Sequence, residues 1–201
     1  MKKLFLFLFV LCHFSIYGQD LITSENFEFK FIKAKIARGS NYFYVIKTPD
    51  NHDKIQVRFK LNSTSSKKED FDPNKFYLVS DKEKVRIRPI DVRYNYGVGI
   101  IYVGFDFLTN YQTTDKNLKQ WIRYDPQIKD TFYDYDIDGY ENVYYTINFG
   151  TKRKPKMVTP YLAHEDLKSC KMDIYFSVPE NSIKKAKIYY GNKLIANIKI
   201  K

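Results

Sequence analysis

Apolar and polar residues alternate with a period of two along much of this chain, and that pattern commits it to strands with one face turned inward. Ile55, Val57, Phe59 and Leu61 alternate with Gln56, Arg58 and Lys60. Met172, Ile174, Phe176 and Val178 do the same against Asp173, Tyr175 and Ser177. Phe59 and Ile174 are therefore expected inside, with Arg58 and Tyr175 outside. Ala186, Ile188 and Tyr190 run into Gly191-Asn192, a two-residue hairpin signal, beyond which Ile198 and Ile200 alternate with Asn197 and Lys199. The last three strands are expected to form a meander. Phe27, Phe29 and Phe31 change phase to Ile32, Ala34 and Ile36, which predicts a bulge or a switch of sheets.

Residues 42–47, 76–79, 85–92, 98–107 and 143–149 are further strand candidates, and Pro89 should keep its segment at an edge or a bulge. Turn chemistry stands at Pro49-Asp50-Asn51, Asp72-Pro73-Asn74 and Asp81-Lys82, and residues 62–68 read as a polar loop. The best helix signal is 114–122, where Thr114 can cap a short helix carrying Leu118, Trp121 and Ile122. About nine short strands at regular spacing predict an all-β chain, an antiparallel β-sandwich with a long insertion around 109–142. No internal repeat or composition break suggests a second domain.

The N-terminus carries Lys2 and Lys3, an apolar run from Leu4 to Leu11 and a small residue at Gly18. This is the layout of a secretory signal peptide over 1–18, leaving a single domain over 19–201 in the periplasm or outside the cell. Cys12 follows Phe9, Val10 and Leu11, a poor lipoprotein site. The run is too short for a membrane anchor, and no later segment reaches the length needed to cross a bilayer. Cys170 alone survives processing, so stability must come from a hydrophobic core, in which this residue is expected to be a small buried hydrophobe.

The full chain is formally +11, and losing Lys2 and Lys3 leaves 32 basic residues against 23 acidic ones, a net +9. Such a charge favours partners such as anionic glycans, lipid head groups or nucleic acid, and export counts against nucleic acid; the partner expected is an envelope protein or an anionic glycan. The plainer reading is that lysines along strands keep edges from pairing.

The order of an alternating strand (Ile55 to Leu61), a polar Asn-Ser-Thr loop, then Phe76-Tyr77-Leu78-Val79 and a charged turn, closing with Ile174 to Glu180 and a final hairpin, resembles the immunoglobulin-like accessory domains of exported bacterial proteins of unknown function. The resemblance covers the two ends of the mature chain and leaves 110–156 unmatched. It implies an immunoglobulin-like fold and a binding or structural module without catalytic residues.

One constellation stands above background. Asp134, Asp136 and Asp138 alternate ahead of Gly139, which resembles the start of an Asp-x-Asp-x-Asp-Gly calcium loop. By that similarity Asp134, Asp136, Asp138 and Asn142 supply side-chain oxygens and Tyr140 its backbone carbonyl. Tyr145 stands where an EF-hand has its bidentate glutamate, so a helix-loop-helix is not expected. The alternative is an acidic hairpin tip without metal, neutralised by Lys152, Arg153 or Lys154 across the hairpin.

His52 and His164 lie far apart and lack zinc-site spacing, so both read as surface residues. No Gly-x-Ser-x-Gly elbow or phosphate loop occurs. Tyr111, Trp121, Tyr124, Tyr133 and Tyr135 concentrate aromatics in the insertion, either as a ligand surface or as packing onto the sandwich. The expectation is a non-enzymatic exported binding or structural module. A secreted glycan hydrolase and a structural component of an envelope complex are the rivals.

Overall fold

A computed structural model describes residues 21–37, 51–95, 101–103, 107–108, 122–123, 130–144, 146–148, 153–155, 157–159, 162 and 164–200. The segment expected to be a signal peptide, the strand expected at 42–47, and Tyr111, Trp121 and Tyr124 lie outside these residues. So does the helix expected at 114–122, apart from Ile122, which belongs to a strand.

In chain order the strands are β1 (Ile22–Ser24), β2 (Phe27–Ile36), β3 (His52–Ser63), β4 (Glu69–Phe71), β5 (Phe76–Ser80), β6 (Val85–Ile87), β7 (Pro89–Asn95), β8 (Ile101–Val103), β9 (Phe107–Leu108), β10 (Ile122–Arg123), β11 (Glu141–Val143), β12 (Ile147–Asn148), β13 (Met157–Val158), β14 (Glu165–Leu167), β15 (Ser169–Pro179), β16 (Lys185–Tyr190) and β17 (Lys193–Lys199). Two short 3-10 turns, Pro73–Lys75 and Thr131–Tyr135, interrupt them. A six-stranded sheet has the order β1-β2-β3-β15-β7-β8 and a five-stranded sheet the order β11-β6-β5-β16-β17. Both are antiparallel except where β11 joins β6 in parallel.

The inward residues of both sheets share one core. Phe29, Val57, Phe59, Leu61, Val92, Ile174 and Phe176 of the six-stranded sheet are sealed from solvent together with Phe76, Leu78, Ile188 and Tyr190 of the other. Phe29, Phe59, Phe71, Phe76 and Tyr190 meet edge-on or tilted at ring separations of 4.9–6.3 Å, apart from one stacked pair, Phe71 and Tyr190. Aromatic pairs in such arrangements add about 0.5–1.5 kcal/mol each beyond the area they bury. Cys170 is buried and its thiol is pushed up to about 12 by desolvation, as expected of a packing residue.

The β2 phase change is a register shift between Phe31 and Lys33 against β3. Pro89 marks the point where the chain leaves the five-stranded sheet after β6 and enters the six-stranded one as β7. It faces Phe176 at a bulge, where a missing N–H costs no ladder bond. The hairpin at Gly191 forms as its sequence dictates, with a positive φ of 55° that glycine adopts without strain.

Two expectations are corrected. The last three strands are no meander, because β15 pairs with β3 and β7 whereas β16 and β17 belong to the other sheet. Tyr175 is not exposed. It shares a face of the six-stranded sheet with Asp173 and Ser177, but is only 2% accessible, and its register partners Gln56 (6%) and Asp91 (0%) are nearly sealed too. Alternation reports which residues share a face; it does not report whether the polar face meets water. Lys54, Arg93 and Ser177 complete this buried polar face. Burial pushes the Asp91 carboxyl up to about 7, against the pull of Arg93 and Lys54.

Candidate functional site

The acidic loop lies on the outer side of the five-stranded sheet. Tyr77 and Val79 point outward from β5, Phe132 packs on them, and Tyr135, Ile137, Tyr140 and Tyr189 close around that second small cluster. Asp130 caps the 3-10 turn by accepting from the Phe132 N–H at 3.1 Å. Gly139, with φ 78°, sits third in a turn closed by the Tyr140 N–H donating to the Ile137 carbonyl at 3.1 Å, and that position favours glycine.

At the centre of the loop is Arg86 of β6, whose side chain is fully buried. One guanidinium nitrogen donates to Asp136 Oδ1 at 2.9 Å and to Asn142 Oδ1 at 2.7 Å. The other donates to the Phe132 carbonyl. Asn142 is the register partner of Arg86 and donates its own amide to Asp136 Oδ1 at 2.9 Å. The Phe132 and Tyr77 rings lie 3.8 and 4.5 Å from the guanidinium carbon. Burial lowers the Arg86 affinity for its proton, and the Asp136 charge opposes that.

Of the residues nominated for calcium, Asp136 and Asn142 thus converge on a guanidinium. Asp134 and Asp138 are exposed. Tyr140 donates its hydroxyl to Asp81 Oδ1 at 2.8 Å. Among the described residues no group of three or more His, Cys, Asp or Glu side chains is placed to hold a metal ion. Tyr133 is exposed and touches Phe132 edge-on, whereas Tyr135 stacks on Tyr77 at 6.5 Å. The insertion's aromatics divide, within the described part, between surface and packing.

Arg88, two residues on, donates to Asp130 and to Asn74 Oδ1 (3.3 Å). Asn74 also exchanges two hydrogen bonds with the Leu162 backbone, at 2.6 and 2.9 Å. Its neighbour Asp72 accepts from the Asn74 N–H at 2.8 Å and from the Thr131 hydroxyl. His164 lies between two carboxylates, with Nδ1 2.9 Å from Asp70 and Nε2 3.4 Å from Asp72. Its hydrogen bond to Asp72 raises it to about 9, so it is a cation at neutral pH. Burial pushes the Asp72 carboxyl up, but the bonds from His164 and Thr131 outweigh that and bring it below the usual range. Sequence reading did not find this network. Its one signal is Arg86 and Arg88 at alternate positions of an apolar strand.

A cleft of about 420 Å³ opens beside the loop. It is lined by Val79 of β5, Asp81 and Lys82 of the following turn, Lys185, Ala186 and Lys187 of β16, and Asn197, Ile198 and Lys199 of β17. Its one acid is already engaged, since Asp81 Oδ2 lies 2.7 Å from Lys187 Nζ while Oδ1 holds Tyr140. That contact holds Asp81 below and Lys187 above their ordinary values. Lys185 and Lys199 stand directly opposite each other in the β16–β17 register.

No protein-family model, curated protein or solved structure matches this chain. The fold and sites by themselves define an all-β protein with two main, largely antiparallel sheets around one core, an arginine-pinned loop and a lysine-lined cleft. No helix among the described residues is long and apolar enough to cross a membrane.

Proposed function

We propose that this chain is an exported, non-enzymatic β-sandwich module of the bacterial envelope or cell surface, immunoglobulin-like in architecture, that binds an anionic glycan. The observation that supports this best is the cleft, where four lysines surround a single acid that is already neutralised. Among the described residues, three carboxylates near the acidic loop are engaged in ion pairs within the fold. Asp130 and Asp136 are held by Arg88 and Arg86, and Asp72 by His164. Cationic clefts focus field lines and concentrate anions.

Co-sedimentation with polygalacturonate, dextran sulfate, anionic-lipid vesicles and neutral dextran tests the reading. Binding to the anionic glycans, weakening as salt rises and absent with neutral dextran, is the expected result. Absence of glycan binding at low salt, or binding to lipid vesicles alone, overturns it.

Calcium on the acidic loop is a second reading, and it draws on the exposed carboxylates of Asp134 and Asp138. Such a site would be a weak stabilising one beside the cleft.

A further inference from the structure

We infer that the cleft takes a carboxylate-bearing saccharide segment, and that Asp81 occupies the seat of one ligand carboxylate; this rests on the anionic-glycan reading above. Asp81 demonstrates the chemistry inside the molecule. Its two oxygens are divided between an ammonium at 2.7 Å and a tyrosine hydroxyl at 2.8 Å, so Lys187 and Tyr140 together already hold a carboxylate.

Next to that seat the charge is uncompensated in pattern. Lys185 and Lys199 face each other across the hairpin, an arrangement that disfavours the strand pair unless an anion lies between them. Lys82 at the rim is 86% exposed and bonded to Glu83, on a stem free to swing toward a ligand. Among the lysines, the Asn197 amide offers both a donor and an acceptor to a hydroxyl. The volume of about 420 Å³ falls in the range of ligand pockets rather than that of a single bound ion.

Calorimetric titration with a galacturonate hexamer decides the matter, alongside its methyl ester and inorganic phosphate. Wild type should bind the acid form and neither the ester nor phosphate measurably. The pair Lys185→Gln and Lys199→Gln should weaken binding by about tenfold. Lys30→Gln with Lys60→Gln removes a second like-charged pair, in register on β2 and β3 away from the cleft, and should change affinity by less than about twofold. Asp81→Asn should tighten binding several-fold, more than Glu83→Gln does. Unfolding temperatures close to wild type establish that each variant is folded.

Equal losses from both lysine pairs would mean diffuse attraction, which removes this inference and leaves glycan binding in place. Equal binding of ester and acid, or an Asp81→Asn variant no tighter than wild type, also overturns it. No binding of any anionic glycan by wild type removes the underlying reading.

Discussion

Lys185 on β16 is the register partner of Lys199 on β17, so two ammonium groups face each other across the closing hairpin at the mouth of the cleft. Lys199→Glu should therefore stabilise the hairpin by about 0.2–1 kcal/mol while abolishing binding of acidic oligosaccharide. Urea melts and binding titrations of the same variant measure both effects. Loss of stability together with unchanged binding would show that the pairing has no functional meaning.

Arg86 should be the residue on which the acidic loop depends. Arg86→Met keeps the bulk but leaves Asn142 Oδ1 and the Phe132 carbonyl without their donor, for an expected cost of about 1–3 kcal/mol. The half-exposed Asp136 can turn to water, which keeps the cost below that of breaking a fully buried pair. Limited proteolysis should show cleavage within 130–142 in the variant and not in wild type. Calorimetric titration of wild type with calcium should give no saturable heat at millimolar calcium, because a guanidinium already holds two of the oxygens. A saturable site with Kd on the order of 10⁻⁴ to 10⁻³ M would instead establish the calcium reading.

Stability should decline as pH rises from about 6.5 toward 9 through His164. Its folded value is raised to about 9 by Asp72 and Asp70, so the protonated ring favours the folded state fully below its unfolded value near 6.5, and that contribution disappears as pH passes through 9. The ring is partly open to solvent, so the whole effect should stay under about 1 kcal/mol. Denaturant midpoints across this window should fall in wild type and flatten in His164→Gln. Identical slopes in the two proteins would remove the histidine from the account.

The two faces of the six-stranded sheet should not differ as alternation suggests. Phe59→Ala is expected to cost about 3–5 kcal/mol and Tyr175→Ala about 3, since both side chains are sealed. Arg58, half exposed in a two-point ion pair with Asp173 at 2.7 Å, should cost only about 0.5–1 kcal/mol on truncation. Melts of the three variants check the order. A silent Tyr175→Ala would mean that the polar face opens to water.

These outcomes bear on what the sequence made legible. Strand positions followed from the alternation of Ile55 to Leu61 and Met172 to Val178, and the β2 bulge from a change of phase, because both are local consequences of a two-residue period. The partition of strands between sheets was not legible. β6 and β7 are one alternating apolar-charged run interrupted only at Pro89, and nothing local says that the sheet changes there. The acidic loop was visible as composition, yet the cation that holds Asp136 is Arg86, 50 residues upstream. The cleft lysines look in sequence like any others on strand edges. Only the register of β16 with β17, and the turn that brings Lys82 beside them, gathers them into one place.

The most direct test of an anion-binding cleft is the unfolding temperature at low salt with and without galacturonate hexamer. A ligand that binds only the folded chain raises it by mass action. The account predicts a rise with the acid oligosaccharide that vanishes in the variant carrying Lys185→Gln and Lys199→Gln and on adding salt. An unchanged unfolding temperature in wild type, or an equal rise with a neutral oligosaccharide, would contradict it.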